Sequence, residues 1–292
     1  MIGIQILFNG IIAGSMYALL ASGFALIYVT NRFIHLAHGG VAAVGAYVLY
    51  ACFALLGLNF YVSVVMAVIA TSVLGVLLFG AVYHPLIKRK SSSVIMLIAS
   101  LGLLILLNNS LLLIFGSDVK LIDHIPVAKG LTIAGAVITP LQLLIVMISL
   151  FLLIFLWLFV WYTKTGKIIR AVADHAELAS TTGINITRVQ YLGFLVGSAM
   201  AGVAGVLIAL EQNAEPYMGV TLIVKGFTGA IIGGATSIPG AVLGSYFLGI
   251  VENAGIWYLP SGYKDAIAFM LLLLFLLLRP QGILGVHKGI RQ

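Results

Sequence analysis

Between two long apolar runs lies Lys164 to Arg188, KTGKIIRAVADHAELASTTGINITR, the longest charged island of the chain. It sets Lys164, Lys167, Arg170 and Arg188 against Asp174 and Glu177. From Lys167 to Ser180 the spacing predicts one helix. Lys167, Arg170, Asp174 and Glu177 recur at helical intervals and share a face, while Ile168, Val172, Ala176 and Ala179 line another. Gly183 is placed to end the helix in a left-handed cap. The cations precede the acids, the reverse of what the helix dipole favours. A loop that merely joins two spans and fixes topology needs no segregated charged face. A helix that docks on a soluble partner does, so Lys167, Arg170, Asp174, Glu177 and Gly183 are candidate docking residues.

The surroundings of the island set the fold class. The chain has 292 residues, 62% hydrophobic and 8% charged, where a soluble domain carries about 25% charged residues. Its apolar runs exceed the roughly 20 residues that span a bilayer core. They are continuous and not alternating, so they read as helices and not as barrel strands. The expectation is an all-α integral membrane protein. It is a polytopic helical bundle forming one transmembrane domain over residues 1–292, with residues 163–188 as a loop within it. A net charge of +7 then reflects one-sided loops and not affinity for nucleic acid. The lone Cys52 sits in an apolar run and gives no disulfide framework. Met1 to Tyr28 reads as a retained first span and not a removable signal.

Eight or nine spans are expected. The first six cover about Ile2–Tyr28, His35–Leu56, Phe60–Val82, Val94–Phe115, Leu141–Tyr162 and Val189–Leu210. The remaining apolar length, Leu222 to Leu278, is interrupted at Ser237-Ile238-Pro239-Gly240 and at Pro260-Ser261-Gly262, which leaves three shorter spans. Reading Gly229 to Gly240 as a broken or re-entrant helix lowers the count to eight. The loop from Gly116 to Thr139 carries Asp118, Lys120, Asp123 and Lys129, and its Gly130 and Gly135 among Val, Ile and Thr suggest a hairpin. With nine spans, Arg32, the Lys88-Arg89-Lys90 cluster, the island and a tail with Arg279, Lys288 and Arg291 share one side. The positive-inside rule assigns that side to the cytoplasm. Gly10 with Gly14-Ser15 in the first span is echoed by Gly193 with Gly197-Ser198 in the sixth, and Gly39-Gly40 by Gly233-Gly234. The two spans run oppositely, as in the inverted repeats of transporters; small-residue packing alone also produces such motifs.

Polar residues inside spans are costly and mark candidate pathway or gate positions. They are Asn9, Ser15, His35, His38, Ser100, Asn108 and Glu252, joined by Gly233 and Gly234 in the broken segment. Glu252 is the one carboxylate deep in an expected span. It is placed to pair with Lys225 on the neighbouring span or to meet a substrate ammonium. His35 and His38 lack a third ligand of suitable reach, so no metal site is expected; helix capping or packing suits them better. Asn108 and Asn109 could hydrogen-bond a zwitterion, though a neighbouring helix suits them better. No P-loop, zinc-protease helix or nucleophile elbow is present. A transporter core that borrows its energy fits better than an enzyme. An ion-coupled carrier working alone lacks ion ligands at mid-membrane.

The residues also carry a family resemblance over nearly the whole chain. His35-Leu36-Ala37-His38-Gly39-Gly40 with Gly45-Ala46-Tyr47 resembles the NFAHG…GAY signature of branched-chain amino-acid ABC permeases, the smaller of the two related subunits. Position 35 departs, with His for the usual Asn. Ala99-Ser100-Leu101-Gly102 with Asn108-Asn109 is similar to the family's fourth span. Arg170 to Asp174 and Ala179 to Asn185 resemble its ATPase-docking loop. Lys225-Gly226-Phe227-Thr228 with Gly233 to Ala241 is similar to its Gly-rich segment, and Arg279 to Gly285 (RPQGILG) to its C-terminal motif. The resemblance implies a permease moving Leu, Ile or Val across the bacterial or archaeal inner membrane by alternating access; relatives for urea or short amides are the alternative. It implies a second related permease subunit, two cytoplasmic ATP-binding subunits and a soluble extracytoplasmic substrate-binding protein. No cofactor is expected in this chain, since ATP and Mg belong to the partner ATPases.

Overall fold

The computed structural model describes residues 2–122, 130–133 and 135–285. Asp123, Lys129, Lys288 and Arg291 lie outside them. The elements in order are α1 (Ile2–Asn31), α2 (Ala37–Leu55), α3 (Phe60–Lys88), α4 (Ser93–Phe115), β1 (Leu131–Ile133), β2 (Ala136–Ile138), α5 (Pro140–Tyr162), α6 (Lys164–Asp174), α7 (Ala176–Thr181), α8 (Ile186–Gln212), α9 (Met218–Gly233), α10 (Ile238–Gly255) and α11 (Lys264–Leu278). Short polar side chains start many of the helices. Asn59, Ser92, Thr163, Asn185 and Ser237 each accept a hydrogen bond from a first-turn N–H, and Thr139 with Gln142 forms a reciprocal capping box ahead of α5.

Six helices, α1 to α5 and α8, are long and apolar enough to cross a membrane. Helices α9 and α10 qualify only together and are bent by 116° at the break between them, which brings the described count to at most seven. The expected eight or nine is not confirmed. Apolar length alone does not reveal that residues 234–237 turn the chain back on itself. Helix α11 has 15 residues, roughly 22 Å of rise, less than the roughly 30 Å of a bilayer core. The bend depends on glycine. Gly234 has φ +107°, and a Cβ on Gly233 would strike the Gly240 backbone.

Helix α1 is the axis of the bundle. It is buried against α8, α9, α10 and α5. Its Gly10 and Gly14 let the α10 backbone approach at Gly249, where a Cβ would collide with both. Gly193 and Gly197 of α8 pack in turn on Thr30 and Ile27 of α1. Both Gly-xxx-Gly motifs are thus helix contacts. The connections after α1 and α8 also correspond. Each long helix ends in a non-glycine residue of positive φ, Arg32 at +59° and Asn213 at +68°. A five-residue link (32–36 and 213–217) follows, and then a helix with a glycine in its first turn buried against the other, Gly39 or Gly219. The two new helices meet backbone to backbone at Gly39 and Gly219. Of the echoed pairs, Gly39-Gly40 lies in the first turn of α2, whereas Gly233-Gly234 lies at the end of α9.

Outside this core, β1 and β2 form the anticipated antiparallel hairpin, with Thr132 opposite Val137. Gln5 of α1 clamps it through both polar atoms of its amide. Its Nε2 donates to the Val137 carbonyl at 3.0 Å, and its Oε1 accepts from the Val137 N–H at 2.7 Å.

Replacing Gly249 with leucine is expected to overpack the α1–α10 contact at a cost of about 1–3 kcal/mol, read as a lower unfolding midpoint in detergent. Gly3→Leu, with no atom near its added Cβ, leaves the midpoint unchanged.

Candidate functional site

The charged island forms two helices where the sequence predicts one. The chain breaks at His175 (φ −144°, ψ 95°) between α6 and α7. The buried face also differs from expectation: Gly166, Ile169, Val172 and Ala179 turn inward, while Ile168 and Ala176 are exposed. The cause is Gly166. It seats directly on the Phe159 and Val160 carbonyls, where a Cβ would not fit, so positions three and six residues onward face the bundle. Lys167, Asp174 and Glu177 remain exposed.

Arg170 leaves the expected charged face. It is half-buried, its guanidinium lies 4.4 Å over the Trp161 ring, and Nη2 donates to the Trp161 carbonyl at 3.3 Å. The break places Glu177 in the first turn of α7, where the dipole favours an acid. Lys164 and Lys167 still open α6 against the dipole. Gly183 caps α7 at φ +85°. Its N–H bonds to the Ser180 carbonyl, and that of Ile184 to the Ala179 carbonyl, a Schellman pair. Arg32 donates to the Ala173 carbonyl and so ties the end of α6 to the end of α1.

Inside the bundle the polar residues gather into two clusters. In the first, Lys225 of α9 lies 3.5 Å from Glu252 Oε2 and 3.1 Å from Asp265 Oδ1, and donates to the Tyr17 hydroxyl at 3.2 Å. Tyr17 donates to Glu252 Oε2 at 3.0 Å. The anticipated pair exists, but it joins four helices, α1, α9, α10 and α11. Burying ions in apolar surroundings is offset only when each is paired and hydrogen-bonded. Glu252 Oε1 has no such partner among the described residues.

The second cluster sits where α2 begins. His35 and His38 are fully buried. His35 Nδ1 is 2.9 Å from the Tyr83 hydroxyl, and His38 Nε2 is 3.1 Å from the Leu20 carbonyl. Ser100 accepts from the Ala37 N–H at 3.1 Å, satisfying a first-turn donor. Neither histidine caps a helix; of the two expected roles they take packing, binding the re-entering chain to α1 and α3. No group of three or more metal-ligating side chains converges among the described residues.

The other candidates are dispersed. Asn9 accepts from Gln5, and Ser15 bonds to the Ile11 carbonyl and lies 3.1 Å from the Tyr246 hydroxyl. Asn108 Oδ1 lies beside Gly219. Asn109 bonds to its own helix at Ile105 and is exposed. Gly233 and Gly234 serve the α9–α10 turn and the seat of the C-terminal segment, whose Ile283 and Leu284 N–H groups bond to the Ile232 and Gly233 carbonyls. Sequence reasoning missed Tyr17, Tyr83 and Asp265. Tyr17 and Tyr83 lie in helical segments rich in Ala, Leu and Gly, where a phenol that must find a partner is a readable signal. Asp265 carried none, being one of a pair of opposite charges with Lys264 at a helix start.

The described residues form a bundle of six or seven candidate membrane-spanning helices with a buried Lys225–Glu252 ion pair and a broken helix pair, the architecture of a multi-pass membrane protein. The profile described as "Branched-chain amino acid transport system / permease component" matches residues 6–276, and the chain belongs to that family. The "High-affinity branched-chain amino acid transport system permease protein LivH" of Escherichia coli (strain K12) is 37% identical, over 97% of this chain and 95% of that protein. The BraD permease protein of the same description from Pseudomonas aeruginosa is 35% identical over 97% and 95%. Among solved structures, "PsaBC from Streptococcus pneumoniae in complex with Fab" superposes with a TM-score of 0.52 over 95% of this chain and 93% of that one, at 16% identity. It shares the fold.

Glu252→Gln is expected to leave Lys225 underpaired and to cost about 3 kcal/mol, measured by denaturant unfolding in mixed micelles. Replacing Lys225 with Met at the same time recovers part of that loss. Tyr83→Phe removes one buried hydrogen bond, at about 1 kcal/mol in the same assay.

Proposed function

We propose that this chain is the transmembrane permease subunit of an ATP-driven importer that moves branched-chain amino acids inward across the cytoplasmic membrane. The observation that carries the reading is the family match across residues 6–276, and relatives named for this transport align along nearly their whole length. The partners are a second related permease subunit, two ATP-binding subunits and an external binding protein. ATP is hydrolysed by the partners, and this chain itself holds no cofactor.

The end of the bundle that carries Arg32, Lys88-Arg89-Lys90, the island and Arg279 faces the cytoplasm. Helices α6 and α7 form the surface on which an ATPase docks, through Lys167, Asp174 and Glu177. Residues 1–292 make one permease domain. Its two halves, beginning at α1 and α8, form an inverted repeat. The matching positive-φ breaks at Arg32 and Asn213 support this, as does the reciprocal packing of α1 on α10 and of α8 on α3. Their meeting point at Gly39 and Gly219, near Asn108, is the pivot about which access alternates.

Solubilised in mild detergent, the chain is expected to bring an ATP-binding subunit with it in fixed proportion. Lys167→Glu together with Glu177→Lys abolishes that association and solute uptake, while the external protein keeps its affinity for Leu, Ile and Val. Full uptake by that variant would exclude α6–α7 as the docking surface, and uptake into liposomes by the chain alone would exclude the importer reading.

A further inference from the structure

A cavity of about 410 Å³ opens behind α6, among the end of α1, the end of α5 and the first turn of α10. Its walls are apolar: Val29, Trp157, Val160, Ile169, Ile238 and Pro239 contribute most of them. Helix α5 is the most apolar of the crossing helices and the least buried, so its outer face lies against lipid. Trp157, Trp161 and Tyr162 are exposed on its last turns, the aromatic belt that marks the level of the headgroups. The cavity therefore lies at the depth where acyl chain gives way to phosphate.

Two guanidinium groups stand at its mouth. Arg32 spends one donor on the Ala173 carbonyl. Arg170 is stacked on Trp161, with one donor on a backbone carbonyl and a buried Nε that has no acceptor among the described residues. An arginine presents five N–H donors in a fixed fork, so both retain capacity for an anion. The N-terminus of α10, capped by Ser237, adds the positive end of a helix dipole. Asp174 shares the rim, which leaves one net positive charge. That balance suits a phosphodiester of one negative charge better than a polyanion.

We propose that this cavity is a binding site for one monoanionic phospholipid of the adjacent leaflet. Its phosphate is held between Arg32 and Arg170, and an acyl chain lies along Val29, Trp157 and Ile238. The lipid touches α1, α5, α6 and α10 at once, so it wedges the amphipathic helix α6 against the bundle. The proposal holds whatever solute crosses.

The two tryptophans make the site measurable. The full chain, with its co-purifying subunits, is reconstituted in phosphatidylcholine vesicles containing brominated phosphatidylglycerol or brominated phosphatidylcholine. Quenching is taken as the difference from a Trp157→Phe/Trp161→Phe chain. The anionic lipid is expected to quench at about five-fold lower mole fraction, the effect of one net basic charge near the surface. Arg32→Gln with Arg170→Gln removes the preference but not the quenching by phosphatidylcholine, and Arg32→Lys retains it.

Equal quenching by both lipids in the wild type means ordinary boundary lipid and overturns the proposal, as does a preference that survives the double glutamine variant. Loss of the preference in millimolar inorganic phosphate would show a free-anion site and no lipid site. Absence of quenching by either lipid would show that protein covers the cavity.

Discussion

Inside hydrocarbon, every backbone N–H and C=O must find a partner within the protein, and each break in a helix leaves such groups for other elements to satisfy. The chain interrupts itself after α1, after α8 and between α9 and α10. The breaks survive because other elements close over them. The Ser100 hydroxyl takes the Ala37 N–H, and His38 reaches the Leu20 carbonyl. The C-terminal segment donates to the last carbonyls of α9. Helix α1 lines two of these places. Its small residues admit neighbouring backbones closely enough to exclude lipid from them.

The same constraint explains which parts of the fold were legible in the sequence. Composition alone implies helices, because no other open element satisfies its backbone in a membrane. The caps at Asn59, Ser92, Thr139 and Asn185 are readable from residue type, and so are the Gly183 stop and the hairpin around Gly135. Direction is not readable in this way. The run from Gly233 to Gly240, with Ser237 and Pro239, marks a break in the sequence, but only the structure shows that the chain bends there by 116°. The break at His175 carries neither Gly nor Pro and passes for helix interior. Once it is allowed, the order of charges that argued against a self-stabilised helix is partly resolved, since Glu177 opens a helix of its own.

Site residues were legible as a set of costly polar groups but not as an arrangement. Glu252 and Lys225 are conspicuous in an apolar run, and the structure brings them together. Tyr17 and Asp265, some 250 positions apart in sequence, complete the same cluster, and no local pattern links them. Arg170 shows the converse. Its spacing puts it with Lys167 and Asp174, yet a tryptophan one helical turn behind α6 draws it inward. Helical periodicity assigns a face from the Cα position, whereas a long side chain can return across its own helix to an aromatic ring.

The central place of α1 also bears on how the protein is made. Its packing partners α8 and α10 come about 200 residues later in the chain. At a synthesis rate of about 5–20 residues per second, α1 waits on the order of ten to forty seconds for them. During that interval the most enclosed helix of the finished molecule must stand in lipid without these partners, with Tyr17 not yet joined to Lys225 and Glu252. The small, flat faces that later receive α8 and α10 are then open to any other helix nearby. Fidelity of assembly in this protein is therefore a question of timing in the membrane as much as of final contacts.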